Sequence, residues 1–225
     1  MRLSSMMKTV RPTFDLENTC QARVIVGLDE AGCGPLAGPV VAGSLVFFTQ
    51  EIPDELNSIV NDSKKLTEKK RIKAYDLILS LKGTLLDFGV GIATVDEIDL
   101  LNIGRATRLA MERAFSNLQT QPDFALIDGI RKPNLPCPSM TVIKGDATST
   151  SIAAASIIAK VTRDKIMHNL DKLHPNYDWA KNAGYGTAAH IKAIHEYGIT
   201  PHHRKSFEPI KSVLGGPAQM DLFKA

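Results

Sequence analysis

The chain has 225 residues, 44% of them hydrophobic, and a formal net charge of +3. That length buries one sizeable core and leaves no room for an array of domains. The sequence has no run of about 18 apolar residues, which excludes a helical membrane span. Its three cysteines, Cys20, Cys33 and Cys137, form no Cys-x-x-Cys pair, which argues against a disulfide framework and a zinc site.

In chain order, residues 1–22 read as a loose leader. They lack the apolar stretch of about 7–15 residues that a signal peptide needs, so a cytoplasmic location is expected. Residues 24–28 are an apolar run that predicts a buried strand. A glycine- and proline-rich turn follows at 31–39, and residues 40–48 predict a second strand paired with the first. Residues 54–82 carry helical spacing through Leu66, Ile72, Tyr75 and Leu79, with Ser63 or Thr67 as a cap. A third strand is expected at 85–92. A helix is expected at 101–118, where Ile103, Ala106, Ala110, Ala114 and Leu118 share a face.

Residues 124–127 predict a short strand closed by Asp128-Gly129, and residues 141–143 predict another. A long helix is expected at 149–174, with Ile152, Ala155, Ala159, Ile166, Leu170 and Leu173 on one side. A last helix covers 187–197. A hairpin followed by alternating strands and helices predicts an α/β domain: a mixed sheet covered by helices, over residues 23–213, ending in a C-terminal helical segment. Residues 214–225, opened by Gly215-Gly216-Pro217, read as a flexible tail.

Four carboxylates stand where these elements end. Asp29 and Glu30 close the first strand, Asp128 closes a later one, and Asp146 lies in a turn ahead of the long helix. Strand ends let such groups share a cleft, whereas burial within a strand is costly. Adjacent Asp29 and Glu30 point to opposite faces of an ideal strand, so serving one site requires a bend, which Gly32 makes cheap. Clustered carboxylates are tolerated around a divalent cation, and their hard oxygens favour Mg²⁺ or Mn²⁺ over zinc. Two basic groups stand out: Lys64, Lys65, Lys69, Lys70, Arg71 and Lys73, and later His202, His203, Arg204 and Lys205. Taken alone, each reads as a solvated face.

The run from Asp29 through Val40, Asp-Glu-Ala-Gly-Cys-Gly-Pro-Leu-Ala-Gly-Pro-Val, resembles the motif of the ribonuclease HII family. Further matches follow in order: Asp62-Ser63-Lys64-Lys65-Leu66, Asp96-Glu97-Ile98-Asp99, Leu101-Asn102-Ile103, Ile127-Asp128-Gly129, Lys144-Gly145-Asp146, residues 151–164, Gly184-Tyr185-Gly186-Thr187 and His203-Arg204-Lys205-Ser206-Phe207. The resemblance spans residues 24–207.

It implies a ribonuclease H-like fold and a monomeric endonuclease. That enzyme would cut the RNA strand of RNA–DNA hybrids and nick duplex DNA 5′ of embedded ribonucleotides, using two divalent ions, Mg²⁺ or Mn²⁺. The implied catalytic and metal-binding residues are Asp29, Glu30, Asp128 and Asp146. Asp164, beside Arg163 inside a helix, competes for the fourth place but reads better as an ion-paired surface residue. The implied substrate contacts are Gly32, Cys33 and Gly34 against the ribonucleotide, Tyr185 stacking beside it, and Lys64 and Lys65 on the phosphate backbone, with Lys144, Arg204 and Lys205 as further candidates.

Cys33 departs from the family, which usually has arginine there, and a thiol near the site becomes open to oxidation. A binding module would not need the acidic quartet. The sister ribonuclease HIII carries an extra N-terminal domain, for which 23 residues are too few. In the tail, Gln219-Met220-Asp221-Leu222-Phe223 resembles the short peptide that many bacterial replication and repair proteins insert into the sliding clamp. Leu222 and Phe223 would supply the apolar anchor.

Overall fold

The computed structural model describes residues 11–215, apart from Asp62, Lys64 and Lys65. The elements run α1 (Asp15–Thr19), β1 (Ile25–Ala31), β2 (Val40–Phe47), α2 (Asp54–Ile59), α3 (Glu68–Ser80), β3 (Leu86–Ala93), α4 (Val95–Leu101), α5 (Ile103–Ser116), β4 (Phe124–Asp128), β5 (Ser139–Val142), α6 (Thr150–Leu173), α7 (Trp179–Asn182), α8 (Ala188–Tyr197) and α9 (Ile210–Gly215). The five strands form one sheet in the order β3-β2-β1-β4-β5. β1 pairs antiparallel with β2 and parallel with β4, so it is the central strand of a mixed sheet.

Helices cover both faces. On one face Val26, Leu28, Val40 and Ala42 pack against Ala106, Ala110, Met111 and Ala114 of α5. On the other, Leu45 and Leu86 join Ala154, Ile157 and Ile158 of α6, with Leu56, Ala74 and Ile78 from α2 and α3 outside them. The first half of α6 is buried all round, as expected of a helix enclosed by its neighbours. It lies so close to the sheet that a Cβ on Gly27 or Gly43 would strike its backbone. Ser149 caps α6 by accepting the Ile152 N–H at 3.1 Å. A third cluster wraps the far end of α6, where Leu36, Ala37 and Met167 meet Tyr177, Trp179, Ile194 and Ile210.

The structure differs from the sequence reading at several places. Residues 54–82 are two helices, because the chain turns extended at Val60 and restarts at Thr67, whose hydroxyl caps α3. β5 begins two residues earlier than expected, at Ser139. The described part of the leader is docked rather than loose. Thr13 exchanges backbone hydrogen bonds with Thr148 and Thr150, and the buried Glu17 accepts from Ser149 Oγ at 2.7 Å and from the Ser151 N–H at 2.9 Å. Among the described residues no helix is long and apolar enough to cross a membrane.

Candidate active site

The parallel ladder between β1 and β4 runs from Ile25↔Phe124 to Leu28↔Ile127. The next residues, Asp29 and Asp128, therefore stand side by side where the β1–β4 ladder ends, with β1 running on two residues to Ala31 against β2. Asp146 reaches the same end from a 3-10 turn, Gly145–Ala147, between β5 and α6. The Gly145 N–H donates to Asp128 Oδ1 at 2.7 Å and ties that turn to β4. Asp29 and Asp146 are both buried, at 5% and 7% exposure. Burial pushes the Asp29 carboxyl well above its usual range, and Glu30, Asp128 and Asp146 push it further. A buried oxygen-donor group repelled by three other carboxylates suits a hard divalent cation, which would relieve that repulsion.

Glu30 is placed differently. β1 continues through it without the expected bend, and its Oε1 lies 3.3 Å from Cys33 Sγ and 3.6 Å from Arg131 Nη1. Among the described residues no three His, Cys, Asp or Glu side chains converge closely enough to hold an ion as they stand. Glu30 is turned toward Cys33 and Arg131 instead.

A cleft of about 400 Å³ opens beside Glu30, walled by Gly32, Cys33, Gly34, Arg163 and Tyr185. Gly32 has φ +97°, and a Cβ there would overlap the Arg163 side chain. A Cβ on Gly34 would sit 3.5 Å from the Tyr185 ring, an ordinary contact. That ring is half exposed. The N–H groups of Leu36 and Ala37 donate to the Gly184 carbonyl at 2.8 and 3.3 Å, locking the glycine loop to the Tyr185 loop.

The Cys33 thiol is directed inward, to Glu30 and to Thr107 Oγ1 of α5, 3.3 Å away. Burial, and then Glu30, push it up to about 11, so it is a protonated thiol rather than a reactive thiolate. Asp164 is ion-paired, as its sequence context suggests, although with Arg71 and Lys160 instead of Arg163.

The two basic groups divide. Lys64 and Lys65 lie outside the described residues, as do Gln219 to Phe223. Arg71 donates to the carbonyls of Ser63 and Leu66. Lys144 is exposed in a left-handed conformation just before the Asp146 turn. Arg204, a candidate for the phosphate backbone, is fully buried together with His203 and cannot reach a duplex. Sequence reasoning missed Arg163. Its signal is that Ala155, Ala159, Arg163 and Met167 repeat every four residues along the buried side of α6.

The ribonuclease HII family model matches residues 26–210. A ribonuclease HII of Gluconobacter oxydans is 50% identical over 207 residues, covering 92% of this chain and 98% of its own. The crystal structure of ribonuclease H2 from Pyrococcus horikoshii superposes with a TM-score of 0.70 at 25% identity, covering 90% of this chain and all of that one. The PCNA:RNase HII complex from Archaeoglobus fulgidus shares the fold with a TM-score of 0.66 at 22% identity, over 82% of this chain and 95% of that one. With a mixed sheet flanked by helices, and relatives of this closeness over nearly its whole length, the chain belongs to the ribonuclease HII family and is a ribonuclease H, an enzyme of RNA–DNA hybrids.

Proposed function

We propose that the protein is a divalent-metal-dependent endonuclease that cleaves the RNA strand of hybrids and also nicks duplex DNA 5′ of embedded ribonucleotides. The observation that carries this reading is the emergence of Asp29 and Asp128 from adjacent parallel strands next to Asp146, beside a cleft walled by Gly32, Gly34 and Tyr185. Asp29, Asp128 and Asp146, with Glu30 once it turns from Cys33 and Arg131, would hold two Mg²⁺ or Mn²⁺ ions. Such a pair supplies an activated water and neutralises charge at the phosphate. Gly145 orients Asp128 through its N–H, and the turn keeps Asp146 at the strand ends.

RNA is told from DNA by its 2′-hydroxyl, and a glycine loop brings bare backbone against that group. In this reading Gly32, Cys33 and Gly34 read the ribonucleotide by backbone and Tyr185 stacks beside it. Lys64 and Lys65 position the phosphate backbone, a role that carries no sequence information. Three unpaired cysteines fit the reducing cytoplasm, where the protein would act as a monomer.

The test is cleavage of three labelled duplexes: a hybrid, DNA with one ribonucleotide, and all-DNA. Cutting of the first two with Mg²⁺ or Mn²⁺, and of none with chelator, is expected. Equal activity in chelator would end the metal reading, and an intact single-ribonucleotide duplex would restrict the enzyme to hybrids.

The tail peptide Gln219 to Phe223 is proposed to contact the sliding clamp, which would raise the enzyme's local concentration on new DNA. The complex of the Archaeoglobus relative with PCNA supports a partner of that kind. Titrating residues 214–225 against the purified clamp decides it, and no binding at high micromolar concentration would remove the partner.

A further inference from the structure

Two arginines from distant parts of the chain lie beneath the glycine loop. Arg163 of α6 is 1% exposed, and Arg204, in the segment before α9, is 0% exposed. A buried guanidinium ordinarily has a carboxylate partner. Among the described residues, the hydrogen bonds of both side chains all end on backbone carbonyls. Arg204 donates to Gly32 at 2.6 Å, to Cys33 at 3.0 Å and to Gly38 at 2.9 Å. Arg163 donates to Pro39 and to Ala37 at 3.0 Å, and to Ala183 at 2.9 Å. Burial and the nearby Arg163 pull the Arg204 guanidinium down to about 9, so it remains protonated at neutral pH.

The carbonyl and the N–H of one trans peptide point in opposite directions. With the Gly32 and Cys33 carbonyls drawn down onto Arg204, the N–H groups of Cys33 and Gly34 are aimed away from it. Gly34 is exposed, and a Cβ there would meet the Tyr185 ring. Arg163 holds the other half of the arrangement, because Ala183 leads into the Tyr185 loop while Ala37 and Pro39 belong to the glycine loop. The fork of a guanidinium fixes several carbonyls at once, which the single ammonium of lysine does not.

We propose that Arg204 and Arg163 are positioning residues for ribose selection: they fix the direction of the Cys33 and Gly34 N–H groups and the distance from that loop to Tyr185. This rests on the reading of the glycine loop as the ribonucleotide-reading element. Loss of the fork then costs discrimination between ribose and deoxyribose while general duplex binding persists.

The experiment uses the full chain with Mg²⁺. KM and kcat are measured on DNA carrying one ribonucleotide, and Ki is measured for the all-DNA duplex of the same sequence as competitor. Wild type should show KM well below Ki. In Arg204→Lys, and separately in Arg163→Lys, KM should rise at least fivefold while Ki stays within twofold. A purely structural role would lower the active fraction, and so kcat, with KM and Ki unmoved, and that result overturns the inference. If wild type shows KM equal to Ki, the reading of the glycine loop has failed instead. If Arg204→Lys does not fold, Arg163→Lys carries the measurement, and failure of both to fold assigns the arginines to stability alone and ends the proposal.

Discussion

The Nε2 atoms of His190 and His203 stand 3.1 Å apart, so one of them carries a proton and the other accepts it. The surrounding hydrogen bonds assign which. Trp179 donates its indole N–H to His190 Nε2 at 3.0 Å, and His190 Nδ1 faces the Tyr185 carbonyl at 2.9 Å. His203 Nδ1 accepts the Thr200 N–H at 2.9 Å. His190 is therefore protonated on Nδ1 and His203 on Nε2, and both rings are neutral.

Acid should cost the fold the stability this neutral pair contributes. Burial, and then His190, push His203 down to about 3, and burial also lowers His190. An unfolded histidine titrates near 6.5. A depressed folded value means that the stability is fully present above about 6.5 and is lost as pH falls toward 3. One such group costs about 1.4 kcal/mol per pH unit, so about 2 kcal/mol between pH 6.5 and 5. For a chain of this size that lowers Tm by about 4–8 °C. Thermal unfolding across pH 5–7.5 checks it, and His203→Asn should flatten the slope. A Tm that does not change over that range would mean that the pair is not neutral.

Asp29→Asn should lose activity without losing stability. The charge at Asp29 is opposed by burial and by three carboxylates, so neutralising it relieves a cost in the folded state. Asp128→Asn retains an oxygen that can accept the Gly145 N–H. Both variants should keep Tm at or above wild type at pH 7 and lose at least about 100-fold in kcat under saturating Mg²⁺, as expected when an electrostatic group of the site is removed. Turnover near wild type in either would show that the carboxylate is not a ligand.

Tyr185→Ala should separate recognition from stability. The ring is half exposed and faces Gly34 across the cleft, and its loop is fixed by backbone groups that the substitution leaves in place. Stacking of a base on an aromatic ring is worth about 1–3 kcal/mol, or about 5- to 150-fold in affinity. Cleavage at a lone ribonucleotide should fall in that range while Tm shifts by less than about 2 °C, on the scale of an exposed substitution. Parallel losses of Tm and activity would make Tyr185 a packing residue.

Local rules reach some of this fold and stop at identifiable points. Ser149 as a cap, the apolar side of α6 and the acids at strand ends all follow from neighbours within a few residues. The orientation of Glu30 does not, because Cys33, Thr107 and Arg131 set it across the fold. Charge patterning places Arg204 and His203 on a solvated face, whereas they are buried through partners far away in sequence. Arg204 reaches a carbonyl 172 positions earlier. Arg163 also reads as a surface charge, although it occupies a buried step of the α6 repeat. Propensity has no access to a guanidinium satisfied by carbonyls of another segment.

The grip of Arg204 on Gly32 also bears on the order in which the molecule is completed. Synthesis runs from the N-terminus, and domains generally begin to fold as they emerge. Asp29, Glu30, Asp128 and Asp146 have all left the ribosome while Arg204 is still to come. The Gly32, Cys33 and Gly38 carbonyls have no guanidinium beneath them until the last tenth of the chain arrives. Closing so long a loop adds little entropy beyond that of a shorter one, but it must wait for its far end. The acidic cluster is thus assembled early and the loop beside it is set late, so a growing chain gains its charge-bearing groups before the element that would make it choosy.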